Sequence, residues 1–130
     1  MKQEQLVDIL VLAKRMGNLF AEVEDLTNQL AESVDRQDEV SIGLSTAMRA
    51  EPIKKLAEAD HALREQLSEL DAEDSVRIRA ILNGESSAAQ GEMEKMLAAQ
   101  AVQNIRLHQR LMEKDQIVNR KITRDKSIYQ

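Results

Sequence analysis

The chain contains no cysteine and no tryptophan, and it has only one phenylalanine, one tyrosine, one proline and four glycines among 130 residues. The absence of cysteine excludes disulfides, thiolate catalysis and cysteine-based zinc sites, and it fits a reducing cytosol. β-Sheets favour aromatic and β-branched residues and need frequent turns. The scarcity of aromatic residues and of the turn residues proline and glycine therefore argues against a β-sheet protein. The abundant residues are instead straight-chain helix formers such as Leu, Glu, Gln, Lys and Arg, together with Ala. The composition therefore predicts an all-α protein.

Long hydrophobic runs are missing as well. The first residues are polar, and the apolar stretch from Leu6 to Ala13 contains Asp8 and is too short for the core of a signal peptide. No apolar run reaches the ~20 residues that a membrane-spanning helix needs. Because 42% of the residues are nevertheless hydrophobic, there is enough apolar surface for a core. We expect a soluble cytoplasmic protein with one domain, residues 1–130, and no membrane insertion.

Charge is unevenly distributed along the chain. Residues 104–130 contain seven Lys or Arg and three acids, an excess of four positive charges, whereas the chain as a whole carries a net charge of -5. An acidic body with a basic end does not favour nucleic acid as the main partner. The basic end either is a solvated helix terminus or contacts an acidic protein surface.

The first segment has a regular heptad pattern of apolar residues, which predicts a helix over residues 3–34 with one stripe packed against another helix. Gly17 lies inside this helix and weakens it by roughly 1 kcal/mol relative to alanine. The stripe consists of Ile9, Leu12, Met16, Leu19, Val23, Leu26 and Leu30.

A second helix is predicted over residues 38–71. Asp38 is a candidate N-cap because its carboxylate can accept hydrogen bonds from the first amides of a helix. Pro52 lacks an amide hydrogen, so we expect a kink or short interruption near residues 50–52. After the proline one apolar face is predicted to enter the core, and it contains Ile53, Leu56, Leu63, Leu67 and Leu70.

The connector is predicted to hold a short helix that begins near Asp74 or Ser75 and stops at Asn83-Gly84, since glycine tolerates the left-handed conformation of a helix end. Residues 85–91 read as a loop. A last long helix is predicted over residues 92–122, with a broad apolar face interrupted by Asn104 and His108. The expected fold is an elongated antiparallel bundle of three long helices, a long hairpin plus a C-terminal helix.

Catalytic and metal-binding patterns are not evident. Glu58 and His61 have the spacing of a helical metal motif, but the chain lacks the second copy and the further carboxylates that such a site needs. We interpret His61 as a surface residue and His108 as a partly buried polar group. Asn104 and Asn119 either set the register of the bundle or contact a bound chain. We therefore expect no enzyme, no cofactor and no metal ion.

Methionine is frequent, and several copies lie on helices, including Met16, Met48, Met93, Met96 and Met112. Its flexible, polarizable side chain either fills irregular gaps in a core or forms an adaptable groove for a partner helix. Both interpretations remain open from the sequence.

Four segments together resemble the FlgN-like flagellar export chaperones. They are residues 19–26 (LFAEVEDL), 37–40 (QDEV), the Leu-rich stretch 53–70 and residues 104–111 (NIRLHQRL). The resemblance spans nearly the whole chain, although Pro52 and the Ser/Gly-rich start of the second helix are not features of the family pattern.

This resemblance implies a cytosolic chaperone that binds helical termini of hook–filament junction proteins and keeps them unassembled until they reach the flagellar type III export apparatus. By position it assigns client binding to the last helix. The implied contact residues are Met93, Leu97, Ala101, Ile105, Leu111, Met112, Val118 and Ile122. The alternative, favoured by the heptads of the first helix, is a coiled-coil module that self-associates, for instance as a homodimer, and has no role in export.

Overall fold

The computed structural model describes the backbone of residues 1–128 and the side chains of residues 1–124. Within this part the chain is helical and forms no strand, which confirms the predicted all-α class. A single 3-10 turn, Ser86–Ala88, precedes the last helix. The α-helices are α1 Gln3–Asp35, α2 Glu39–Ser68, α3 Ala72–Leu82 and α4 Gly91–Ile128.

Local capping explains where α2 and α3 begin and where α3 ends. The Asp38 carboxylate accepts hydrogen bonds from the backbone amide of Ser41 at 3.1 Å and from its hydroxyl at 2.7 Å, as the predicted N-cap requires. Asp71 caps α3 by accepting from the Asp74 amide at 2.8 Å. Gly84 follows α3 with φ +103°, the left-handed conformation that glycine adopts without strain.

Helix α2 continues through Pro52, so an interruption near residues 50–52 is wrong, whereas the alternative of a kink there stays a prediction. Pro52 is buried and lies seven residues from both Ser45 and Ala59, which are also buried. The proline ring thus occupies a core position of α2, and packing along α1 supports the helix across the missing amide. Because Ile53 follows by one residue, its side chain turns away and is 45% exposed, so its predicted place in the core is also wrong.

Helix α1 lies at the centre of the molecule and packs against α2 and α4. Near its start, Ile9 clusters with Leu67 of α2 and Leu97 of α4, and near its end Val34 clusters with Val118 of α4. Helix α4 therefore runs in the same direction as α1, and α2 runs opposite to both. The heptad stripe of α1 faces this core, five of its seven residues being buried and two partly buried.

The backbones of the two outer long helices stay apart. Among the described residues no Cα of α2 lies within 8 Å of a Cα of α4. The channel between them is covered at one end by α3, whose Ile78 and Ile81 are fully buried and pack in the cluster of Ile9 and Leu97. Farther along, Leu56 and Ile42 of α2 pack in the clusters that contain Leu107 and Val118 of α4. The open part of the channel beside α3 forms the candidate site.

Candidate functional site

A groove of about 450 Å³ lies between α2 and α4, over α1. Its floor is formed by α1, its two walls by α2 and α4, and one end by the last turn of α3. The lining residues are Ala13, Met16 and Phe20 of α1, Asp60, Leu63, Arg64 and Leu67 of α2, Arg79, Leu82 and Asn83 at α3, and Ala101, Asn104, Ile105 and His108 of α4.

The end of the groove at α3 is held by close packing and by charge. A Cβ at Gly84 would lie 3.3 Å from Cδ1 of Ile105, so the turn after α3 approaches the α4 wall tightly. Arg77 pairs with Asp74 at 2.9 Å and with Glu94 at 3.0 Å, joining α3 to the start of α4. The amino group of Met1 hydrogen-bonds Asp74 at 2.8 Å and, with help from Arg77, holds the pKa of that carboxyl below its usual range.

Beyond the groove, an ion pair joins the same two helices, in which Nη2 of Arg49 lies 2.7 Å from Oδ1 of Asp115. Ile53 lies one turn after Arg49, and Met112 lies one turn before Asp115. Since α2 and α4 run in opposite directions, both residues lie between this ion pair and the groove along the helix axes. They are 45% and 48% exposed and lie outside the groove lining. The lining residues of α2, from Asp60 to Leu67, span about 10 Å.

The rim of the groove is polar and carries more positive than negative charge. Nε of Arg64 lies 3.0 Å from Asp60 in an exposed pair within α2. Arg79 donates from Nε to the Ser75 hydroxyl at 3.0 Å. The His108 ring lies 5.4 Å from the Phe20 ring and is exposed, so its predicted partial burial is wrong.

A part-buried polar contact at the groove joins α1 to α4. The Asn104 side-chain amide donates to the Ala13 carbonyl at 2.8 Å and accepts from Gln100 at 2.8 Å. These amides fit because Gly17 has no side chain: a Cβ there would lie 2.6 Å from Gln100 Nε2 and 2.7 Å from Asn104 Oδ1. Asn104 thus serves the packing between the helices, whereas Asn119 is exposed.

The structure separates the eight residues that the resemblance assigned to client binding. Ala101 and Ile105 line the groove, and Met112 is exposed one turn beyond His108, the last lining residue of α4. Four are buried inside the molecule, namely Leu97, Ala101, Leu111 and Val118, and three are partly buried, namely Met93, Ile105 and Ile122.

Sequence reasoning missed the residues that other helices contribute to the groove. Met16 and Phe20 form the floor, and Leu63, Leu67 and Leu82 line the sides. The only available signal was the width of the apolar face of α1, where Phe20 lies beside the heptad stripe. Which helix covers that extra width depends on the tertiary arrangement.

The side chains of the described residues bring together no group of three or more His, Cys, Asp or Glu that could hold a metal ion. In the same part of the chain, none of the helices has the length and apolar character required to cross a membrane. Comparison with known proteins finds no matching family model, and no match among curated proteins or solved structures.

Proposed function

We propose that this protein is a cytosolic export chaperone that binds a helical segment of a client protein in the groove between α2 and α4. In line with the resemblance to the FlgN-like chaperones, the proposed clients are the helical termini of hook–filament junction proteins, kept unassembled until export. The observation that carries the proposal is the open groove, with its apolar floor at Met16 and Phe20.

Helix α3 provides an intramolecular precedent for how this channel is filled. It is an 11-residue helix that buries Ile78 and Ile81 completely above α1. The groove continues the same channel, and the α2 residues that line it span about 10 Å, roughly two turns of helix. An amphipathic helix laid into a hydrophobic groove is a common way to recognise a helical segment. A client helix in this place extends the packing that α3 begins.

The groove favours a recessed binding site over one on the whole length of α4. Contacts with Leu97 or Val118 would require a client to displace α4 from α1, because both side chains are buried there. Contacts with Ile105 and Met112 need no such rearrangement. The proposed site therefore keeps the exposed part of the α4 face and adds Met16, Phe20 and Ile53.

The test is binding of a fluorescently labelled peptide from the C-terminal helix of a hook–filament junction protein, measured by anisotropy. Ile53→Lys and Met112→Lys place a charge on the apolar surface beyond the groove, where the proposed helix would continue, at side chains that are already half-exposed, so the fold should persist. We expect each to weaken binding by about tenfold or more, the equivalent of losing ~1.4 kcal/mol of apolar contact.

Val40→Lys is the matched control, because Val40 is an exposed apolar residue of the same helix α2 but lies far along it from the groove. This variant should bind the peptide as the unchanged protein does. Equal weakening by all three variants, or no effect of any, contradicts the proposed site.

Self-association is the second candidate function, and one observation favours it. Val40, Leu44 and Met48 are 83%, 60% and 49% exposed and follow one another at four-residue spacing on α2. The heptad stripe of α1 is used within the chain, so this α2 row is the better surface for a dimer. Sedimentation of the unchanged protein and of Leu44→Lys distinguishes the cases, since a dimer through this row should dissociate in the variant.

A further inference from the structure

The groove and the surface beyond it differ in character. At the α3 end, Arg64 and Arg79 line the groove from two different helices, opposed by the single carboxylate of Asp60. The floor is apolar at Met16 and Phe20, and beyond the lining Ile53 and Met112 present exposed apolar side chains. A local excess of positive charge is notable in a chain whose net charge is -5. The groove is thus cationic at the α3 end, and the surface beyond its other end is apolar.

Both arginines have hydrogen-bonding capacity left for a ligand. Arg79 uses Nε on Ser75 and enters no ion pair among the residues whose side chains the structure describes. Arg64 pairs with Asp60 through Nε, but its side chain is 75% exposed. Exposed pairs within one helix contribute little energy, so a second carboxylate competes readily. A guanidinium can bind a carboxylate through two parallel hydrogen bonds.

We propose that the segment bound in the groove is an amphipathic helix whose apolar row contacts Met16 and Phe20 and whose acidic residues pair with Arg64 and Arg79. This inference rests on the proposed function and specifies the client's chemistry: acidic at the α3 end and apolar toward Ile53 and Met112.

The same geometry gives the bound helix a direction. The last turn of α3, with Leu82 and Asn83, faces the groove, and a helix C-terminus carries partial negative charge. The N-terminus of a bound helix carries partial positive charge and favours acidic residues in its first turn. Placing that N-terminus against α3 satisfies both preferences. The bound helix then runs in the direction of α1 and α4.

Three synthetic helical peptides with one shared apolar row test this inference. One carries glutamates in its first turn, one carries them in its last turn, and one carries lysines in its first turn. Binding is measured by anisotropy at low and moderate salt. We expect the first peptide to bind about tenfold tighter than the lysine peptide, with the difference shrinking as salt screens the charges.

The complementary experiment reverses the charge in the protein instead of in the peptide. Arg64→Glu combined with Arg79→Glu should reverse the preference between the glutamate and lysine peptides. Arg106→Glu, an exposed arginine of α4 that does not line the groove, should leave it unchanged.

The possible failures are distinguishable. If the peptides bind equally but still respond to Met112→Lys, the charge inference is overturned and the proposed function stands. If none binds, both are overturned. If Arg79→Gln lowers the melting temperature but leaves the preference for the glutamate peptide unchanged, Arg79 only stabilises the C-terminal end of α3. The inference is then overturned.

Discussion

Gly17 leaves room for two amide side chains of α4 beside the backbone of α1. The Asn104 amide donates to the Ala13 carbonyl between the two helices, and Gln100 in turn donates to Asn104. Amides that are largely removed from water stabilise only when they are paired, because an unpaired one costs about 1–3 kcal/mol when buried. The absence of a single methyl group on α1 therefore keeps a polar contact between two helices intact.

Exchanging glycine for alanine should have opposite effects at two positions. Gly17→Ala should destabilise the protein by about 1–2 kcal/mol, since the lost hydrogen bonds outweigh the gain in helix propensity. Gly43→Ala should stabilise it by up to ~1 kcal/mol, because Gly43 is helical and a Cβ there meets nothing within 4 Å. Urea unfolding of both variants measures the two free energies.

Asn104→Ala combined with Gly17→Ala provides a control. If the amide contact explains the cost at Gly17, the two substitutions together should cost less than their sum, because they affect one interaction. Stabilisation by Gly17→Ala alone would show instead that Gln100 and Asn104 rearrange freely.

For single residues, the sequence indicates helix propensity but not which residues contact each other in the fold. It marks Gly17 as a weak point in a helix and Asn104 as a break in an apolar face. The hydrogen bond from Asn104 to Ala13 joins residues 91 positions apart, and no local pattern reports it. The cap at Asp38 was predictable, because an N-cap and its amide lie three residues apart. The cap at Asp71 was not recognised, and α3 begins at Ala72 rather than near Asp74 or Ser75.

Helices α1 and α4 are also joined by ion pairs along their outer edge. Glu24 accepts from Nη2 of Arg110 at 3.0 Å and lies 3.5 Å from Nζ of Lys114, and Asp35 accepts from Lys121 at 2.7 Å. The hydrogen bond from Arg110, more than any other contact, holds the pKa of Glu24 below its usual range.

This lowered pKa makes the α1–α4 contact sensitive to acid. A carboxyl whose pKa is lower in the folded than in the unfolded chain stabilises the fold above its unfolded pKa of ~4.3, and that stabilisation is lost as pH falls through the folded pKa. We therefore expect the melting temperature to fall below about pH 4. In Glu24→Gln it should be lower at neutral pH and should fall less on acidification.

Glu58→Gln serves as the control for this experiment. Glu58 is an exposed residue of α2 that enters no ion pair within the described side chains. Its substitution should leave the acid profile unchanged. A Glu24→Gln profile parallel to that of the unchanged protein would mean that the ion pair adds no pH-dependent stability. The pKa values of Asp38 and Asp74 are also lowered by hydrogen bonds. Because both residues are present in every variant, part of the loss of stability in acid should remain in each of them.

Element type was predictable, whereas the buried face of α2 was not. The long helices follow from composition and periodicity, but the register of α2 depends on Pro52. Because Pro52 is buried, the buried face of α2 contains Ser45, Pro52 and Ala59, and Ile53 lies outside that face. Sequence rules treat proline as a break, and they do not anticipate that packing on α1 carries the helix across it.

At the scale of the whole molecule, α1 is the element to which the other long helices are attached. It is buried from two sides, whereas α4 has few buried residues beyond Leu111, with Val118 the last among those whose side chains are described. Stability is therefore expected to be unequal along the molecule, highest in α1 and lowest in the last turns of α4.

Hydrogen exchange should show this gradient directly. Amides in the middle of α1 should exchange only through global unfolding, and amides of α4 after residue 112 should exchange faster by local opening. Mass spectrometry of peptic fragments measures both regions in one experiment. Equal protection of the two regions would contradict the gradient.

Raising the denaturant concentration slightly provides an internal check. The exchange of α1 should accelerate strongly, because global unfolding exposes much surface, and the end of α4 should respond weakly.

The groove itself could not be predicted from the sequence. Its existence depends on α2 and α4 remaining apart and on α3 covering only one end of the channel between them. The sequence predicted the short helix in the connector but not where it packs. Ile105 and Met112 were recognised as candidate contacts because they lie on the last helix. Met16 was left open between core and groove, and nothing in the sequence assigned Phe20 to a groove.

The central position of α1 also has a consequence for the order in which the molecule is built during synthesis. The α2 partner of α1 follows after a short turn, but the contacts of α4 with α1 join residues 86–91 positions apart. Closing so long a segment costs more chain entropy than closing the hairpin. On the ribosome, one side of α1 therefore stays uncovered until α4 has emerged, and during that interval the nascent hairpin is the species most prone to aggregate.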